Sequence, residues 1–273
     1  MRQILSLLFF GLIISFSYVP SSLAQETKGI VVSPKRVVMA GKERIVEVLL
    51  ANRGNTEQKF RISVVNREML ENGQLQEATE PAENEFFAKG VVHYSPRQVI
   101  LGPKEAQKVR IMSRLKSDAP DGEYRSHLLV QEIPAAAPAV NVGDQASGAL
   151  GVNVTAVFGV TIPLILRKGE LSADASLSSP QIINVDGEKH LQISVNRTGN
   201  KSILGTATVY DGVQKIGLLK NVAVYMSNPS RVISIQLDAE RAKNLSGKTL
   251  RVTFGAEEDN EDAPNAELDF VAR

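Results

Sequence analysis

The three histidines of the chain, His93, His127 and His190, stand far apart, with no Glu or second His at a spacing that would bring two ligands to one metal. There is no cysteine, hence no thiolate nucleophile and no disulfide. No Gly-x-Ser-x-Gly elbow occurs, and Gly148 and Gly151 precede a strand pattern instead of the helix start that a phosphate loop needs. Carboxylates are plentiful, but none of their spacings singles out an acid–base pair. The reading is therefore no catalytic residue, no metal and no cofactor, with His127 a satisfied structural histidine inside a strand. What the residue pattern does offer is recognition. From Val152 to Ile162 every even position is apolar (Val152, Val154, Ala156, Phe158, Val160, Ile162), and the odd positions, Val157 excepted, are small or polar. Side chains of a strand alternate between faces, so this is one apolar ridge, which either closes a core or is offered to another polypeptide.

The elements that must position this ridge are short. Alternating runs such as Val46-Val48-Leu50, Phe60-Ile62-Val64 and Leu191-Ile193-Val195 read as half-buried strands, and clusters such as Asn52-Arg53-Gly54-Asn55 and Asp186-Gly187 read as turns. Helical periodicity is confined to Asp238 to Leu245. Many short strands with close turns predict an all-β chain of antiparallel sandwiches. An internal repeat predicts two of them: VEVLLANRGNTEQKFRISVV resembles LQISVNRTGNKSILGTATVY, and GPKEAQKVRI echoes NPSRVISI farther along each half. The junction falls near Arg167-Lys168-Gly169-Glu170, giving one domain over 25–167 and a second over 168–273. The first carries an insertion, Asn66 to Val92, whose Glu77, Glu80, Glu83 and Glu85 read as a solvated acidic loop. Ala135 to Gly151 reads as a loop without apolar mass, and Glu257 to Asp262 as a surface segment.

Residues 1–24 read as a signal peptide: Arg2, a mostly apolar run from Ile4 to Val19, then Ser22-Leu23-Ala24 before the expected cleavage site. The mature chain is expected to be exported, with no membrane insertion after cleavage. A formal charge of +1 and the absence of tryptophan make no case for nucleic acid.

Four segments in order, SPKRVVMAGKE, YSPRQVILGPKEAQKVRI, GEYRSHLLVQEIP and IPLILRKG, resemble the periplasmic chaperones of the chaperone-usher pilus (fimbrial) assembly family, of which the P-pilus chaperone is typical. The resemblance covers nearly all of the first domain; the second matches mainly in length and strand pattern. It implies two immunoglobulin-like β-sandwich domains in a boomerang arrangement, in the periplasm. Their client is a pilus or spore-coat-like subunit that lacks a strand, which the chaperone completes before passing it to an outer-membrane usher. The donor side chains it implies are Val152, Val154, Ala156 and Phe158, while Val160 and Ile162 pack into the protein's own core. It implies Arg36 as an anchor for the subunit's terminal carboxylate. The lysine that should accompany it aligns with Pro163, so Arg97 is the candidate second anchor. Glu123 and Arg167 fall where the family links its domains by salt bridges, with Glu257, Glu258 and Asp259 all open as a third member. The alternative is a secreted two-domain structural or adhesive surface protein.

Overall fold

The computed structural model describes residues 29–83, 85–134, 156–257 and 262–273; residues 1–24, Ala135 to Gly151, Val152, Val154, Glu258 and Asp259, on which expectations were placed, lie outside the described residues. The first half begins with β1 (Ile30–Ser33), β2 (Val37–Ala40), β3 (Ile45–Asn52) and β4 (Gln58–Val65). A hairpin of β5 (Arg67–Met69) and β6 (Leu75–Glu77) and the short β7 (Glu85–Phe86) follow. Then come β8 (Val92–Ser95), β9 (Gln98–Leu101), β10 (Ala106–Ser113), β11 (Gly122–Glu132) and β12 (Gly159–Lys168). They form two facing sheets, ordered β1-β3-β10-β8 and β2-β12-β11-β4-β9. The alternation seen in sequence is the reason: Val48, Leu50, Val109 and Ile111 turn inward from one sheet to meet Ile62, Leu128 and Leu164 from the other, all of them buried.

Two strands change sheets. The chain leaves β1 for β2 at the cis Ser33-Pro34 bond and leaves β8 for β9 at the cis Ser95-Pro96 bond, moving each time to the opposite sheet. Near the start of β11, the Tyr124 hydroxyl donates to the Pro120 carbonyl at 2.8 Å, the corner tie of immunoglobulin-like sandwiches. Asn52 pins the β3–β4 connection: its amide donates to the Thr56, Leu101 and Gly102 carbonyls at 2.7, 3.0 and 3.1 Å, and its carbonyl oxygen accepts from the Gly54 amide.

The second half contains β13 (Ala173–Val185), β14 (Glu188–Gly199), β15 (Ile203–Asp211), β16 (Gln214–Val224), β17 (Ser230–Gln236), β18 (Thr249–Gly255) and β19 (Ala266–Val271). Its sheets are β13-β14-β17 and β16-β15-β18-β19, with a separate core around Ile193, Val209, Ile235 and Phe254. The one helical stretch foreseen between Asp238 and Leu245 is a 3-10 helix over Arg241–Asn244. The internal repeat is topological: its first copy spans β3–β4 and its second β14–β15, each crossing between facing sheets, and the trailing copies are β10 and β17. The two cores change over between Leu166 and Ala173.

The expectation of a solvated insertion needs correcting. Glu77, Glu80 and Glu83 are exposed, but Glu85 is only 3% exposed and lies on β7, which pairs with β11. The β5–β6 hairpin reaches the second sandwich: the Val232 amide donates to the Glu71 carbonyl at 2.9 Å, and a Cβ at Gly73 would collide with the Arg231 guanidinium.

Candidate functional site

β2, β12 and β11 lie side by side, and their shared outer face collects the charged residues. The registers align Val38 with Ile165 and Arg125, and Ala40 with Arg167 and Glu123. One step before β2, Arg36 is level with Pro163, which pairs with His127. Strand alternation therefore puts Arg36, Glu123, Arg125, His127 and Arg167 on one surface, while Val37, Leu164 and Leu128 face the core. The second domain covers this surface. Ile165, Met69 and Val38 pack with Leu204, Ala223 and Tyr225 in an apolar cluster between the two sandwiches.

Tyr225 is its centre. The Arg125 guanidinium carbon lies 4.3 Å from the Tyr225 ring centroid, a cation–π contact, and His127 meets the same ring edge-on at 6.0 Å. Arg125 is paired with Glu85 through Nε–Oε1 and through Nη2–Oε2 at 3.0 Å, and its Nη1 donates to the Arg67 carbonyl at 2.9 Å. Burial pushes the Glu85 carboxyl above its ordinary pKa, against the pull of Arg125. His127 is buried as foreseen but is not satisfied. Both ring nitrogens lack a hydrogen-bond partner among the described residues, and burial, with Arg125 and Arg67 nearby, lowers its pKa to about 3.

Arg36 is 8% exposed, and its Nε, Nη1 and Nη2 are all buried without a hydrogen-bond partner among the described residues. Burial pulls its pKa below the ordinary value, opposed mainly by the Tyr225 hydroxyl and then by Glu123. The residue beside it, Pro163, has no N–H; it is tolerated because the outer side of β12 is unpaired there. Arg97 is elsewhere. It precedes β9 at the far edge of the same sheet, is exposed, and lies 5.4 Å from the Tyr94 ring. Four strand spacings of ~4.8 Å separate the β2 and β9 edges, about 19 Å, so one carboxylate cannot bond both arginines. The second-anchor assignment to Arg97 is corrected on that ground.

Glu123 and Arg167 are neighbours across β11 and β12, joined by Arg167 Nε to Glu123 Oε2 at 3.1 Å. From this pair the contacts extend into the second domain. Arg167 Nη2 donates to the Ser202 carbonyl at 2.9 Å, the Ser202 amide donates to Glu123 Oε2 at 3.1 Å, and the Ser202 hydroxyl donates to Glu123 Oε1. The acidic partner is Asp262, bound by Arg167 Nη1 and by Lys201 Nζ at 3.0 Å. Burial pushes the Asp262 carboxyl up, but the hydrogen bonds from Arg167 and Lys201 outweigh it and leave the pKa below its ordinary value. Glu257 instead contacts Thr208 and Lys215.

The apolar ridge leaves the sandwich at the other end of β12. Ile162 is buried in the first core and Val160 packs against it. Ala156, Val157 and Phe158 are exposed, Phe158 by 60%. Phe158 borders a cleft of about 220 Å³ with Ile30, Phe60 and Val160, so the apolar ridge runs out of the core into an open apolar mouth. β2 pairs only with Leu164–Arg167, and among the described residues no strand covers the outer side of Gly159–Pro163.

Among solved structures, several chaperones are similar to this chain at low sequence identity. It matches the YadV chaperone with 15% identity and a TM-score of 0.48, covering 88% of this chain and 99% of that one. It matches the chaperone–subunit complex CsuC–CsuE from the archaic chaperone-usher Csu pili of Acinetobacter baumannii at 13% identity and a TM-score of 0.46, covering 90% and 99%. The SafA pilin–SafB chaperone complex of Salmonella enterica matches at 12% and 0.44, covering 91% and 98%. No family model and no curated protein matches.

The sequence reading missed Arg125, Glu85, Tyr225 and Asp262. A signal for the first was present: Glu123, Arg125 and His127 occupy alternate positions of one strand, a polar face too regular for a core.

Proposed function

We propose that this protein is a periplasmic chaperone for incomplete pilus or spore-coat-like subunits. It lends the edge of β12 and the residues before it, Val152 to Phe158, to the subunit's open sheet. It holds the subunit's terminal carboxylate at Arg36 and delivers its client to an outer-membrane usher. The observation that carries this reading is the unpaired outer side of Gly159–Pro163, continuing into exposed Val157 and Phe158. A long unprotected edge with apolar side chains invites pairing with another chain, and soluble proteins ordinarily blunt such edges. Here the edge leads toward Arg36, whose fork-shaped guanidinium suits a carboxylate. Main-chain pairing supplies affinity, and alternate side chains fill the pockets of the subunit's groove.

The test is periplasmic production of a strand-deficient pilus subunit with and without this protein. The expected result is a soluble one-to-one complex with it and aggregation alone; a subunit equally soluble and monomeric in both cases overturns the reading. Phe158→Asp should weaken capture at least about tenfold, because it removes apolar burial and places an unpaired charge in the groove.

A further inference from the structure

The first sandwich holds the second at two places. One is the Glu123–Arg167 pair of β11 and β12, which reaches Ser202 and Asp262. The other is the β5–β6 hairpin, rooted beyond β4, two strand spacings of ~4.8 Å from β12, so the two attachments start about 10 Å apart. The hairpin is built as a stiff arm. At its base the Arg67 carbonyl accepts from Arg125 Nη1 at 2.9 Å, and Asn66 Oδ1 accepts from the Ser126 hydroxyl at 2.8 Å. At its tip the Leu70 amide donates to the Gln74 carbonyl and the Gly73 amide to the Leu70 carbonyl, both at 2.8 Å. Between base and tip, Met69 is 6% exposed and packs with Leu204, Ala223 and Tyr225 of the second sandwich. The tip is seated on β17. The Val232 amide donates to the Glu71 carbonyl at 2.9 Å, on the side of β17 away from β14. Beside it, Arg231 Nη1 donates to the Ala223 carbonyl at 2.8 Å, and the guanidinium lies so close over Gly73 that a Cβ there would fall 2.6 Å from Cζ. Gly73 also has φ +83°, a conformation that residues with a side chain resist.

We propose that the β5–β6 hairpin is a bracket and that Gly73 and Arg231 are positioning residues: they fix the orientation in which the second sandwich stands over the β2–β12–β11 face. Contacts between domains of one chain ordinarily leave them free to move relative to one another. One attachment lets the second sandwich turn about it, whereas two separated ones with an apolar cluster between them remove that freedom. This deepens the chaperone reading and rests on it for the client, since the lent edge of β12 leads to that face. The bracket itself is a property of the free chain.

The test is the interdomain distance distribution, read by pulsed electron paramagnetic resonance between two nitroxide labels on the full mature chain. There is no native cysteine, so Lys108→Cys and Glu267→Cys, exposed on different sandwiches, carry the labels alone. With the bracket unaltered the distribution should be one narrow peak; a broad one overturns the bracket. Gly73→Ala should broaden that peak about twofold or more. Arg231→Ala should do the same; it leaves the hairpin sequence intact and carries the test if the first variant does not fold. Gly212→Ala is the control: it places a Cβ at φ +59° with no neighbouring group within 4 Å, at the tip joining β15 to β16, and should leave the width unchanged. An unchanged width in a folded bracket variant, or equal broadening in the control, overturns the proposal. Capture of a strand-deficient pilus subunit should fall at least about fivefold in the broadened variants, because a mobile second sandwich must be ordered on binding. Undiminished capture overturns the positioning role. A subunit that is soluble and monomeric alone fails the chaperone reading instead, and the width still decides the bracket.

Discussion

Two segments of the first domain are near copies, and they end in opposite circumstances. Ser33-Pro34-Lys35-Arg36-Val37 and Ser95-Pro96-Arg97-Gln98-Val99 both follow a strand, turn at a cis proline and change sheets. The first enters beside β12, at the edge covered by the second domain, and its arginine is buried without a partner. The second enters beside β4, at the uncovered edge, and its arginine rests against Tyr94 in solvent. A local motif sets the turn and the strand, and the sheet edge it joins sets the electrostatics. Arg97 holds the place of Lys35 and is exposed like it, and Gln98 holds the place of Arg36, so one motif position is buried at the covered edge and exposed at the other.

The largest expected effect tests whether the covered edge depends on its buried ion pair. Glu85→Ala leaves Arg125 charged and unpaired beneath Tyr225 and should cost about 3–5 kcal/mol of folding free energy. The exposed pair Glu47–Lys108 on the facing sheet is the control, and Glu47→Ala should leave stability nearly unchanged because solvent screens the pair. Urea unfolding at constant m distinguishes them; similar losses would erase the difference between the two regions.

Next is the pair of arginines themselves. Arg36→Met removes a buried charge that has no partner and should stabilise the isolated protein by about 1–3 kcal/mol while abolishing client capture. Arg97→Met should change stability by less than about 0.5 kcal/mol and leave capture intact. If Arg36→Met destabilises, the guanidinium is satisfied in solution and the comparison fails.

The covered edge should also respond to pH. The unfolded chain takes up a proton at His127 below the ordinary pKa of 6.5, whereas the folded chain resists protonation down to about 3. The contribution is full above 6.5 and falls as pH drops toward 3, with a slope of up to about 1.4 kcal/mol per pH unit. His127→Phe should flatten that slope between pH 6.5 and 5. The difference between wild type and variant is the quantity to measure, because Glu85, with its raised pKa, contributes with the opposite sign.

Much of this architecture is legible in the chain and some is not, for physical reasons. Alternation marks the strands, and the repeat at Val46 and Leu191 marks two equivalent sandwiches, because both signals depend on near neighbours. The polar row Glu123, Arg125, His127 is also local. What covers that row comes from Ser202, Tyr225 and Asp262, far along the chain, and strand periodicity carries no information about such packing. Glu85 illustrates the limit. In sequence it continues an acidic run whose other members are exposed, and only the pairing of β7 with β11 places it against Arg125.

Asp262 gives the smallest expected effect and the finest test. Glu257, Glu258 and Asp259 are as acidic, yet Asp262 is the residue placed opposite Leu204 by reciprocal backbone hydrogen bonds of 2.9 and 3.1 Å, which turn its carboxylate toward Arg167. Its side chain is 39% exposed, so solvent screens the pair, and Asp262→Asn should cost less than about 1 kcal/mol at neutral pH. Its folded pKa is depressed, so its contribution is present above the ordinary value of 3.8 and is lost as pH falls through the lower folded value. Asp262→Asn should therefore be indistinguishable from wild type below that window. A large loss at neutral pH would mean that this one bond, more than the β5–β6 hairpin and the Glu123–Ser202 contacts, holds the second domain over Arg36.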